Sequence, residues 1–183
     1  DRAVVRNGRS VVSNPMKEND GIYTLDFEDM EQKMAEAHPR MMVLCNPHNP
    51  VGRVFGKTEL EQIAGLARKY GVLVFCDEIF AETAVEGIEM ISFAEVAPDI
   101  SIISTSLGKS FNFTGVNHAN LLIRNERLLA QYERQKEMEH FGSIDPFFYT
   151  AVRAAYSIKG AQWVRQMNRH TWQNYCLLKT ALQ

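Results

Sequence analysis

The chain predicts an α/β fold of three αβα layers, with helices on both faces of a mixed, mostly parallel sheet. Three observations carry this. Four largely apolar runs, 41–45, 72–76, 100–104 and 120–123, have the length of strands. Helical patterns alternate with them and then follow them, the arrangement that builds a parallel sheet from crossover units. The runs are apolar along their length and not only at alternate residues, so both faces of the sheet are expected to be covered.

Taken in order, residues 2–12 form an entry segment with a turn at Asn7-Gly8 and a strand at Ser10–Val12. A second turn, Asn19-Asp20-Gly21, precedes a short strand, Ile22–Leu25. Asp26 caps a helix through Ala37, on which Phe27, Met30 and Met34 share a face. Met41–Cys45 is the first long strand, and Asn46-Pro47-His48-Asn49-Pro50 ends it sharply. Thr58 and Glu61 have the spacing of a capping box; the helix they open places Leu60, Ile63, Ala64 and Ala67 on one face and stops at Gly71. Val72–Cys76 is the second long strand, with Asp77-Glu78 at its carboxyl end; Ile100–Ser104 and Asn120–Ile123 are the third and fourth. Helices follow at 126–138, 146–158 and from Gln162 onward. Trp163, Trp172 and Tyr175, at helical spacing with Met167 and Leu178, are expected on a core face, and Tyr132, Phe147 and Phe148 in packing roles.

Composition narrows the function classes. The 183 residues are 45% hydrophobic with a net charge of −2, enough for one sizeable core. Without an acidic or basic block, a nucleic-acid surface is not expected, and no apolar stretch has the length of a membrane span. Three widely spaced cysteines, Cys45, Cys76 and Cys176, read as buried thiols in a reducing compartment, which makes the cytoplasm the expected location. No metal site is expected from them. Asp1 is not an initiator methionine and Gln183 falls inside a helical pattern, so the chain is expected to be a fragment.

Chemistry concentrates at strand ends, where ligands of open α/β sheets bind. Asn49 follows the first long strand, Asp77 the second and Lys109 the third, the last within Ser104–Gly115. Alone, each has a plain structural reading: a rigid turn, a helix cap, a surface lysine. Together, an amide, a carboxylate and an amine suit a ligand with a phenolic oxygen, a ring nitrogen and an aldehyde. Pyridoxal 5′-phosphate carries that set. Lys109 would bond the aldehyde, Asp77 keep the ring nitrogen protonated, Asn49 donate to the ring oxygen, and the Ser106 hydroxyl reach the phosphate. Gly108-Lys109-Ser110 also ends like a nucleotide-binding P-loop, but the first glycine of that motif would fall on Ile103, which excludes it. His48, beside Asn49, is expected to serve the turn.

Three segments, Cys45–Phe55 (CNPHNPVGRVF), Val74–Phe80 (VFCDEIF) and Thr105–Gly115 (TSLGKSFNFTG), resemble the fold-type-I pyridoxal-phosphate enzymes of the class I/II aminotransferase superfamily. PHNPVGR followed by KSFN is most similar to the cystathionine β-lyase and cysteine-S-conjugate β-lyase branch. The resemblance extends over essentially the whole chain. It implies that Lys109 is the Schiff-base lysine and that Asp77, Asn49 and Ser106 bind the cofactor. It further implies a seven-stranded large domain, here residues 1–160 and incomplete at its N-terminus. Residues 161–183 would begin the helix leading to a C-terminal small domain. A homodimer sharing its active sites and a small amino-acid substrate are implied too. The implied reaction is α,β-elimination from cystathionine or cysteine S-conjugates to pyruvate, ammonia and thiol. An aminotransferase acting on an amino acid and a keto acid, or a truncated non-catalytic product, are the alternatives. The sequence departs from the family pattern in having Phe80 where Tyr or His is usual, Asn117 where Arg or Lys is frequent, and Gly108 in place of a frequent Ser.

Overall fold

The structure, a computed structural model, describes residues 2–115, 118–141 and 146–182. A short helix, α1 (Arg2–Arg6), is followed by exposed extended chain, so Ser10–Val12 does not form the expected strand. The first strands are instead a hairpin, β1 (Lys17–Asn19) and β2 (Ile22–Thr24), antiparallel with Asn19 opposite Ile22. Asp20 and Gly21 both have positive φ, 50° and 78°, as a two-residue hairpin loop requires. Helix α2 (Phe27–Ala37) starts where expected: Asp26 Oδ1 accepts the Asp29 amide at 3.1 Å.

The main sheet contains β3 (Met41–Cys45), β4 (Leu73–Asp77), β5 (Ser101–Thr105) and β6 (Asn120–Leu122), in that order. The first two pairings are parallel and the last antiparallel, so the sheet is mixed and mostly parallel. Between β3 and β4 runs α3 (Lys57–Tyr70), which begins earlier than the Thr58–Glu61 spacing suggested. Its N-cap is Gly56, and Glu59 reaches back to the Gly56 amide at 3.0 Å. Phe55 and Leu60, both fully buried in one core, occupy the two positions of a hydrophobic staple. At the other end Gly71 (φ 66°) closes a Schellman motif. Its N–H bonds Arg68 O, and the Val72 N–H bonds Ala67 O at 2.8 Å. Val72 is thereby held by the helix end, and β4 begins one residue later than expected.

Lateral register sorts the sheet residues onto two faces. Leu44, Cys76 and Ile103 align on one face and join a core with Met30 and Met34 of α2, Leu60, Ile63, Ala64 and Ala67 of α3, and Phe93 of α4 (Phe93–Val96). Val43, Phe75 and Ile102 align on the other; Ile102 is buried, but Val43 is 68% exposed. A smaller core gathers Leu107 of the one-turn helix α5 (Leu107–Ser110) with Phe148 and Ala155 of α7 (Pro146–Ala155). Helix α6 (Glu126–Met138) has the expected bounds.

Helix α8 (Ile158–Leu182) begins before Gln162 and α7 ends before Ile158, because Ser157 interrupts the two. Its Oγ donates to Ala154 O at 2.6 Å and accepts the Gly160 amide at 3.1 Å. The expected aromatic core face of α8 is not observed: Trp163, Trp172 and Tyr175 are 46%, 48% and 50% exposed, and Leu178 more so. Among the described residues, those of α8 that are buried, Gly160 and Val164, lie in its first turns, and farther along Trp172 and Tyr175 stack on each other, each about half in solvent. Phe148 is buried as expected, whereas Phe147 is 87% exposed and Tyr132 is half-buried. Of the thiols, Cys76 is buried, Cys45 half-buried and Cys176 exposed, which corrects the reading of all three as buried. Among the described residues no helix is long and apolar enough to cross a membrane.

Candidate active site

Asn49 stands at the tip of a loop that its neighbours hold rigid. The Asn46 side chain is fully buried, with Oδ1 accepting the Phe55 amide at 3.0 Å, and the Asn46 N–H donates to Asp77 O at 3.0 Å. His48 serves the turn as expected: its N–H donates to Arg53 O at 2.7 Å and its carbonyl accepts from Gly52 at 2.8 Å. Both Asn46-Pro47 and Asn49-Pro50 are cis. The loop leaves Asn49 exposed and sets its backbone N–H against Cys45 Sγ.

Asp77 closes β4 and is flanked laterally by Cys45 and Ser104. Its carboxylate accepts the Ile79 amide at 3.3 Å and is half-buried. Cys45 therefore touches both site loops. Burial pushes its thiol pKa up and the Asp77 charge adds to that, while the Asn49 N–H opposes them. Strand alternation sends Cys76 and Glu78 the other way. Glu78 is 3% exposed and accepts from Ser92 Oγ at 3.1 Å and from the Phe93 N–H at 2.8 Å, tying the end of β4 to the start of α4.

Lys109 projects from α5, whose neighbours on either side are anchored. Leu107 and Ser110 are buried, while Lys109 itself is exposed. Its Nζ lies 5.6 Å from the centroid of the Phe80 ring, and among the described residues no carboxylate forms an ion pair with it. Phe80 and Asn49 share the walls of an open cavity of about 460 Å³ with Pro47, Thr83, Val85 and Ile88. Asn49, Asp77 and Lys109 are thus linked through two intermediaries, Cys45 and Phe80. Ser106 enters none of those contacts. Its hydroxyl caps α5 by accepting the Gly108 amide at 3.1 Å and donates to His118 O at 3.1 Å. To serve a phosphate, that hydroxyl must turn away from His118. Gly108 has a local reason to be glycine: a Cβ there would sit 3.3 Å from Ser106 Oγ. Asn117 lies outside the described residues.

The donor set fits the ring of pyridoxal phosphate: an amine with no ion pair among the described residues, a half-buried carboxylate that accepts a long backbone N–H bond, and an exposed amide. Sequence reasoning did not find Glu78 or Glu82, whose side chains bond partners far along the chain. An acid next to a strand-end aspartate was the one available signal for Glu78.

Residues 1–183 match the family described as aminotransferase class I and II. Cystathionine beta-lyase PatB of Bacillus subtilis (strain 168) is 33% identical over 174 residues, covering 93% of this chain and 45% of that protein. A pyridoxal-phosphate-bound C-S lyase of Staphylococcus hominis superposes with a TM-score of 0.91 at 31% identity, over 99% of this chain and 46% of the other. Glutamate-pyruvate aminotransferase AlaC of Escherichia coli (strain K12) is 28% identical over 132 residues, 70% of this chain and 32% of that protein. The chain spans under half the length of each of these relatives.

Proposed function

Because the chain belongs to the aminotransferase class I and II family, whose members and structural neighbours depend on pyridoxal phosphate, we propose that it forms the cofactor-bearing core of a carbon–sulfur β-lyase. The substrates are cystathionine or cysteine S-conjugates, and with one water the products are a thiol, pyruvate and ammonia. In this reading residues 1–160 form the cofactor-binding domain, 161–183 lie in helix α8 on the way to a further domain, and the enzyme works as a cytoplasmic homodimer. The observation that supports it is that Asn49, Asp77 and Lys109 follow or end three neighbouring strands of one sheet, in a chain whose relatives include a cystathionine beta-lyase and a C-S lyase.

When bound, the pyridine ring supplies the electron sink for negative charge at the substrate Cα. Lys109 Nζ would hold the cofactor's aldehyde and, as a free amine, would take the substrate α-proton as general base. Asp77 would keep the ring nitrogen protonated through its carboxylate. Asn49 would donate its side-chain N–H to the ring oxygen, without the aid of a hydroxyl or imidazole at Phe80. The apolar Phe80 ring keeps water off one side of the Lys109 amine. Ser106 would offer its hydroxyl to the phosphate in exchange for its bond to His118 O.

A second reading, amino-group transfer between an amino acid and a keto acid, is favoured by the relatedness to AlaC and uses the same residues. Supplying S-substituted cysteines separates them: release of thiol and pyruvate marks the lyase, amino transfer without thiol the aminotransferase. Cofactor capture itself is tested by incubation with pyridoxal phosphate, borohydride reduction and peptide mapping. The phosphopyridoxyl mass is expected on Lys109 and absent from Lys109→Ala. A label on another lysine, or none at all, would overturn the assignment and favour a non-catalytic product. Asp77→Asn is expected to leave the melting temperature in place while lowering turnover; undiminished turnover would remove Asp77 from its role.

A further inference from the structure

Glu82 is not among the residues assigned above, yet the turn that carries Lys109 is fastened to it. Ser110, the residue after Lys109, is fully buried, and its Oγ donates to Glu82 Oε2 at 2.9 Å. Glu82 belongs to a 3-10 turn, Ala81–Thr83, two residues beyond the Phe80 ring that faces Lys109 Nζ. The segment is itself rigidly held. Ala81 N–H donates to Glu78 O at 2.9 Å, and Thr83 Oγ1 donates to Phe80 O at 2.7 Å. From α8, Asn168 Nδ2 donates both to Glu82 O at 2.7 Å and to Ala84 O at 3.1 Å. One braced segment therefore meets the lysine turn twice, through an aromatic face and through a carboxylate.

That double contact answers a mechanical problem. A lysine side chain has four rotatable bonds and projects here from a helix of one turn, Leu107–Ser110, that cannot hold a direction alone. Its amine must nevertheless meet an aldehyde carbon within a narrow range of angle and distance. A charge-assisted hydrogen bond one residue away fixes the roll of the turn about its axis, and the Phe80 ring limits where the amine can lie.

We propose that Glu82 is a positioning residue for Lys109, acting through Ser110 Oγ; this rests on the reading of Lys109 as the residue that bonds the cofactor. The experiment measures the rate at which pyridoxal phosphate, trapped by borohydride, labels Lys109 in the wild-type protein and in Glu82→Ala, Ser110→Ala, the double variant and Glu82→Gln. Exposed Lys57 serves as internal reference, and melting temperatures are read on each variant. Each alanine variant is expected to slow labelling of Lys109 roughly ten-fold relative to Lys57, the loss of one hydrogen bond to a charged group. The double variant is expected to be no slower than either single, since one bond is lost in all three. Glu82→Gln, whose amide oxygen still accepts from Ser110, is expected to recover most of the rate. Should Glu82→Ala prove too unstable to purify, Ser110→Ala and Glu82→Gln carry the comparison. Equal labelling rates in wild type and Ser110→Ala, or singles whose effects multiply in the double, would overturn the role of Glu82 while leaving Lys109 in place. A wild type labelled at Lys57 and not at Lys109 would overturn both.

Discussion

At the end of β4 three successive residues face three different fates. Cys76 enters the core, Asp77 turns to the candidate site, and Glu78 turns back beneath Ser92 and Phe93. Burial, the dominant influence, pushes the Glu78 pKa above its ordinary value of 4.5, against the opposing pull of the Phe93 N–H and the Ser92 hydroxyl. A raised folded-state pKa means that the folded protein binds the proton more tightly than the unfolded chain. Glu78 therefore adds stability that is complete below its ordinary value and is lost as pH rises through the folded value. Glu78→Gln keeps an oxygen for both donors and removes the titration. The wild type is expected to lose melting temperature on the alkaline side of pH 4.5 and Glu78→Gln to lack that decline; an identical pH profile would show that Glu78 does not titrate there. The same residues show what sequence reveals. Asn49, Asp77 and Lys109 stand out in the sequence because amide, carboxylate and amine follow apolar runs, a pattern read within a few residues. Glu78 bonds partners 14 and 15 residues away, and Ser110 bonds Glu82 across 28, so their roles depend on chain crossings that no local spacing records.

Whole elements were legible where a cap and a periodic face agree. Asp26 with Met30 and Met34 gave α2, and Leu60, Ile63, Ala64 and Ala67 gave the face of α3. The aromatic spacing of α8 misled, because periodicity marks a face without saying whether anything covers it. Trp163 meets one ring, Phe111, at a centroid distance of 5.5 Å, and stays half in solvent. Two glycines in helices test local packing in opposite directions. At the α7–α8 junction a Cβ on Gly160 would lie 1.8 Å from the Ala155 carbonyl oxygen, an impossible contact with backbone. Gly160→Ala is expected to lower stability by about 1–3 kcal/mol through forced separation of the two helices, read from urea denaturation. In the middle of α3, Gly65 has nothing within 4 Å of its would-be Cβ and an ordinary helical φ. Gly65→Ala is expected to raise stability by about 0.5–1 kcal/mol, by removing backbone freedom from the unfolded chain. A neutral Gly160→Ala would mean that the junction is looser than these distances show.

For the molecule as a whole, the expected mixed, mostly parallel sheet is present, and the uneven covering of its faces is what the sequence did not disclose. Uniformly apolar strands imply that both faces are buried, but they do not say by what. Helices α2, α3 and α4 cover one face, and on the other Val43 is left 68% exposed on β3, with Met41 two residues before it also exposed. Strand β3 is moreover an edge of the four-stranded sheet, so a bare apolar face adjoins a row of unpaired backbone groups. In a chain spanning under half the length of its relatives, such a surface favours self-association as concentration rises. Sedimentation velocity over a range of concentrations is expected to show species larger than 20.9 kDa for the wild-type chain. Val43→Lys places a charge on that face and is expected to shift the distribution toward monomer. Because Val43 contributes little burial, the substitution should change stability by no more than about 0.5 kcal/mol. An unchanged distribution in Val43→Lys would locate the association elsewhere, with the exposed Leu177, Leu178 and Leu182 of α8 as the next surface to charge.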